Sequence, residues 1–124
     1  MDLNIFNLTD SLSIRDSKSA MNTYLYMAKD MDEIFKIFHM IVRHIRNLIG
    51  IKVLTKDSYN DAFIQKSLGI SSFELRKDKG FIRNFTLNEL FNIQDFLYNC
   101  DLKQKSQDFN MNLNMLILIE KFSK

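Results

Sequence analysis

Apolar side chains recur along this chain three and four positions apart, in seven stretches separated by short polar breaks, and that spacing predicts helices. Two helix starts are marked twice over. Ser71-x-x-Glu74 and Thr86-x-x-Glu89 both match the capping box, in which hydroxyl and carboxylate reciprocally satisfy backbone N–H groups that the first turn leaves unpaired. Ile70 with Leu75, and Phe85 with Leu90, supply the matching hydrophobic staples. Weaker starts are Asp16 or Ser17 before a stretch reaching about residue 29, Asp32 before a long segment that begins at Ile34, and Ser58 before residues 62–68, where Gly69 suits a left-handed helix end. An opening helix near residues 4–12 and a closing one near 110–122 complete an all-α bundle of about six to seven helices.

The long segment is apolar on most sides. Lys36, His39, Arg43, Arg46, Asn47 and Gly50 share one narrow sector, while Ile34, Ile37, Phe38, Ile41, Val42, Ile45, Leu48 and their neighbours fill the rest, as expected of the central member of a bundle. Lys52 falls inside the apolar arc, where an unpaired ammonium is expensive to desolvate. Asp101 lies on the inward side of the helix that Thr86 opens, so it is expected either to pair locally with Lys105 or to reach Lys52 across two helices. The closing segment is apolar nearly all round. It runs through the middle of the domain as helix or buried strand, or it reserves Met111, Met115, Leu118 and Phe122 for a partner protein.

Composition narrows the class: 124 residues with 46% apolar and 26% charged make one ordinary globular domain. With no proline and only three glycines, many-stranded sandwiches and collagen-like chains are out, and the glycines stand too far apart for a phosphate-binding loop. A net charge of +2 does not by itself select a nucleic-acid or membrane partner. The lone Cys100 and the lack of a signal-like N-terminus suit a reducing, cytoplasmic setting, and no apolar run is long enough to span a bilayer.

Candidate chemistry is sparse. His39 and His44 are five apart, off the four-residue spacing of a helical metal pair, and no H-E-x-x-H accompanies them. Asp30, Asp32 and Glu33 cluster where carboxylates favour the positive end of a helix, and Cys100 reads as a small buried hydrophobe. No catalytic, metal or cofactor site is expected. Residues 62–68, the turn 69–71 and residues 72–84 have helix-turn-helix spacing, with Arg76, Lys77, Lys79 and Arg83 on the second helix; a small DNA-binding protein is the alternative reading.

Taken in order, these residues resemble a known family. Asn4-Ile5-Phe6-Asn7-Leu8-Thr9-Asp10-Ser11-Leu12 is similar to an N-x-F-x-L-x-D-A-L opening, and Arg43-His44-Ile45-Arg46-Asn47-Leu48 with Lys52 resembles R-x-x-R-x-L-x-x-x-K. Leu68-Gly69-Ile70 with Phe73, Lys77, Phe85-Thr86-Leu87, Leu90 and Asp101-x-x-x-Lys105 follow in matching order. The family is the C-terminal domain of the delta subunit of bacterial DNA polymerase III, part of the clamp loader. Cys100 replaces a small residue before the aspartate, and Ser106 to Phe109 replace the usual Gly and Pro. The resemblance implies an all-helical collar domain without chemistry of its own, through which clamp-loader subunits, delta-prime and gamma/tau among them, assemble to load the sliding clamp on primed DNA. DNA would then be met only through the complete assembly. It also implies that this chain is a fragment, the ATPase-like and clamp-binding regions belonging to a longer subunit's N-terminal part.

Overall fold

The computed structural model describes residues 3–122, and it contains helices and turns without a strand among them. The order is α1 (Leu3–Ser13), α2 (Ser17–Met27), α3 (Met31–Lys56), α4 (Asp61–Leu68), α5 (Ser72–Phe81), a short 3₁₀ turn (Ile82–Asn84), α6 (Leu87–Lys103) and α7 (Met111–Phe122). The side chains of Asn4, Ile5 and Phe6, which open the family-like motif, lie outside the described residues.

Helix α3 is the axis of the bundle: its 26 residues rise about 39 Å, and α1, α4, α5, α6 and α7 all pack on it. Ile34, Ile37, Phe38, Ile41, Ile45 and Leu48 join Leu8, Leu12, Tyr24, Leu90, Leu97, Met115 and Phe122 in one core. A smaller core of Ile51, Ile64, Ile70 and Leu75 sits under α4 and α5, so the first staple is buried with it; Phe85 and Leu90 bury the second in the main core. Where α4 crosses α3, Gly50 keeps the two close: a Cβ there would stand 2.7 Å from a Leu68 methyl.

Helix ends follow local hydrogen bonding more closely than residue type. Asp30, not Asp32, caps α3 by accepting from the Glu33 N–H at 2.9 Å, and Asn60, not Ser58, caps α4 by accepting from Phe63. Ser58 instead terminates α3 in the left-handed conformation (φ 68°), with the Tyr59 N–H bonded back to Leu54 O. Arg15 does the same between α1 and α2 (φ 62°), and Gly69 after α4 (φ 67°). Helix α2 stops at Met27, two residues short of expectation. The Thr86 box is complete in both directions, whereas at Ser71 only the hydroxyl caps, because the Glu74 carboxylate is taken by Arg43 at 2.8 Å.

Arg15 ties the chain's distant parts together. From its turn the guanidinium donates to Phe122 O (2.9 Å) at the end of α7, to Asn84 O (2.7 Å) and to Glu89 (2.7 Å), and it lies 4.7 Å from the centre of the Phe85 ring. Phe122 O lies at the C-terminus of α7, where helix carbonyls have no partner within the helix and a cation is favoured.

Candidate assembly surface

The side chains expected to face a partner from α7 are covered by the chain itself. Met111, Met115, Leu118 and Phe122 are at most 1% exposed, because α2, α3 and α6 close over that side of α7. The segment is helix, and the side it leaves open carries Leu113 and Ile117, at 51% and 40% exposure. An interface built on the first four residues is therefore corrected to core.

The larger open apolar face belongs to α6. Phe91, Tyr98 and Leu102 fall on one stripe at spacings of seven and four, and all three are exposed. Beside them Val42, placed by its sequence in the apolar arc of α3, reaches the surface and shares a cleft of about 450 Å³ with His39, Gln94, Asp95, Tyr98 and Asp101. Exposed aromatic and branched side chains next to a partly polar cleft are the composition of a protein-protein interface.

The ion pair expected between Lys52 and Asp101 is absent for a geometric reason. Helices α3 and α6 run antiparallel, so Asp101 stands beside His39 and Val42 while Lys52 stands beside Ile82 to Glu89 at the other end. Ten or more residues of α3 separate those positions, about 15 Å or more of helix rise. Lys52 Nζ donates to Ile82 O at 3.0 Å, so a carbonyl satisfies it where an anion was expected. Asp101 is exposed and accepts from Gln104 at 2.7 Å, and Lys105 lies beyond the end of α6, out of the helical register a local pair requires.

The second helix of the expected helix-turn-helix is largely engaged within the fold. Lys77 pairs with Asp10 of α1 at 2.9 Å and Lys79 with Asp61 of α4, while Asp78 turns inward. Arg76 and Arg83 are exposed, and Arg83 sits in the 3₁₀ turn rather than on α5, which ends at Phe81. The arrangement thus offers no uniform basic face of one helix to a DNA groove.

Between α1, α3 and α5 lies a polar knot that the sequence did not announce. His44 is buried, shares a 2.6 Å hydrogen bond with Ser13, and is pushed down to about 4 by desolvation, against the opposing pull of Glu74. Asp78 is pushed up to about 7, first by burial and then by Glu74, and among the described residues its Oδ2 has no hydrogen-bond partner. Asn47, placed by its sequence on the polar sector, is fully buried, and both its amide atoms lack partners among the described residues. Burial also raises the Cys100 thiol, as suits an inert core cysteine. No group of three or more His, Cys, Asp or Glu among the described residues could hold a metal ion, and no described helix is long and apolar enough to cross a membrane.

With this geometry in hand, comparison with known proteins is decisive at the family level: residues 2–122 match the model for the DNA polymerase III delta subunit, C-terminal domain. The chain belongs to that family. In fold it is similar to the Bacillus subtilis DNA clamp loader delta protein (YqeN), with a TM-score of 0.85 at 21% identity over 97% of this chain and 35% of that one. This chain thus spans about a third of that protein's length. Comparison with curated proteins gives no match.

Proposed function

We propose that this delta C-terminal domain is the collar module of a clamp loader, binding other clamp-loader subunits such as delta-prime and gamma/tau and performing no catalysis. On this reading it works in the bacterial cytoplasm and forms part of a longer subunit. Membership of the delta family supports the reading, and the observation that carries it is the open stripe of Phe91, Tyr98 and Leu102 beside Val42. Exposed aromatic anchors of this kind dominate binding energy when a partner covers them. The test is capture of the domain by the remaining clamp-loader subunits. Tyr98→Asp with Leu102→Asp should reduce capture about tenfold or more while the helical circular dichroism stays native, since both side chains are open to solvent. Undiminished capture by the doubly substituted domain would overturn the assignment of this face.

A further inference from the structure

The open stripe on α6 is not apolar throughout. Phe91, Asp95, Tyr98 and Leu102 follow one another at spacings of four, three and four, so a carboxylate sits on the same helical face as the three exposed hydrophobic side chains. Asp101, one turn beyond Tyr98, lines the cleft of about 450 Å³ against α3, and Asp95 lines it too. Buried Phe38 and Leu97 give that cleft an apolar floor, with Val42 on its α3 side. Among the described residues no lysine or arginine lines it, and neither carboxylate joins an ion pair; Asp101 accepts one hydrogen bond, from Gln104. The cleft therefore carries two carboxylates on a chain whose net charge is +2. Exposed, both are hydrated at little cost. A partner that covers the stripe removes that water, and an ionised carboxylate left against apolar surface is expensive unless a cation replaces the water.

We propose that the cleft between α3 and α6 seats a basic amphipathic helix of a neighbouring clamp-loader subunit, whose apolar side chains cover Phe91, Tyr98 and Leu102 and whose lysine or arginine meets Asp95. Asp95 and Asp101 are six residues apart, about 9 Å along α6, so cations about two turns apart on the incoming helix reach both. A helix is the fitting element because the cleft runs between two antiparallel helices, and no strand among the described residues offers an edge to extend. Nucleic acid and anionic membrane are repelled by the two carboxylates. A small cation would satisfy them but leave Phe91 and Leu102 bare. A second copy docked stripe to stripe would bring four carboxylates together. The occupant's identity as a clamp-loader subunit rests on the collar reading, whereas its charge follows from Asp95 and Asp101.

The experiment is capture of the 124-residue chain by the remaining clamp-loader subunits. Asp95→Asn with Asp101→Asn should weaken capture about three- to tenfold and flatten its salt dependence. Asp95→Lys with Asp101→Lys should weaken it at least about thirtyfold, because like charges then meet. Against an uncharged apolar partner the asparagine pair would instead strengthen capture, since the desolvation cost disappears. Asp32→Asn with Asp57→Asn, an equal change in charge on exposed residues off the cleft, should alter capture less than about twofold. Asp95→Asn alone, at an exposed site, repeats the comparison should the pair lose its helical signal. A second arm follows the anisotropy of a labelled amphipathic helix of about 15 leucines and lysines, and of its leucine and glutamate counterpart. The lysine peptide should bind at least about tenfold tighter, and the asparagine pair should cut that preference to about threefold or less. Capture unchanged or strengthened in the asparagine pair, or weakened no more than in the Asp32 and Asp57 control, overturns the basic-helix assignment and leaves the collar reading standing. Failure to capture the unsubstituted chain overturns the collar reading; the peptides then decide the charge, and equal binding of the two overturns the basic helix as well. A dimer of the chain in sedimentation that Tyr98→Asp abolishes would put a second copy in the cleft and overturn the proposal.

Discussion

His44 and Asp78 answer to acid in opposite senses. Unfolded, His44 takes its proton near 6.5, whereas in the fold it does so only near 4; between those values the unfolded chain holds more protons, and stability falls on acidification. Asp78 releases its proton near 3.8 when unfolded and near 7 in place, so over that interval the folded chain holds the extra proton and stability falls as pH rises. From about pH 4 to 6.5 the two slopes oppose, and the native chain should show a shallow profile in urea titrations. Asp78→Asn leaves the histidine unopposed, so stability should climb with pH at up to about 1.4 kcal/mol per unit. His44→Gln should give the reverse slope. Profiles that stay shallow in both variants would show that burial does not govern these two groups. Lys77 and Asp10, together with Arg43 and Glu74, line one pocket with His44 and Asp78 between α1, α3 and α5, and each of the two pairs is joined by an ion pair.

Helix α7 shows how an element's surroundings divide chemically similar residues. Met115 and Ile117 are two positions apart, about 200° around the helix, and both look equally apolar in sequence. Met115 is fully buried and Ile117 is 40% exposed. Met115→Asp, which forces a carboxylate into the core, should cost several kcal/mol and unfold the domain, while Ile117→Asp should change stability by about 0.5 kcal/mol or less. Thermal melts followed by circular dichroism separate the two, and a folded Met115→Asp would mean that α7 is not part of the core. The same logic explains Val42 and Asn47 on α3: the neighbouring helices cover the amide and leave the valine bare, a choice no helical wheel contains. Capping was more legible. The Ser71, Thr86, Asp16 and Gly69 ends are set by bonds within one turn, whereas Ser58 and Arg15 occupy left-handed positions without the glycine that would have marked them.

Arg15 joins the α1–α2 turn to the start of α6 and the end of α7, closing the bundle across more than a hundred residues of sequence. Its hydrogen bond and proximity to Arg15 hold the Glu89 carboxyl down at about 2. Arg15→Ala removes three charge-assisted hydrogen bonds and should destabilise by about 2 kcal/mol or more. Arg15→Gly loses the same bonds but relieves the positive φ, so it should be less destabilised by about 1 kcal/mol; equal losses in urea unfolding would remove the backbone contribution. The helices, their order, the central place of α3, both staples and the family were legible along the chain, because periodicity, caps and ordered motif residues are properties of neighbours in sequence. Helix packing was needed to show that Lys52 meets a carbonyl rather than Asp101, that the α7 methionines are core, that His44 and Asp78 are buried, and that the open apolar stripe belongs to α6. Those outcomes depend on the direction and rotation of one helix against another, and a helix's own residue pattern leaves both free.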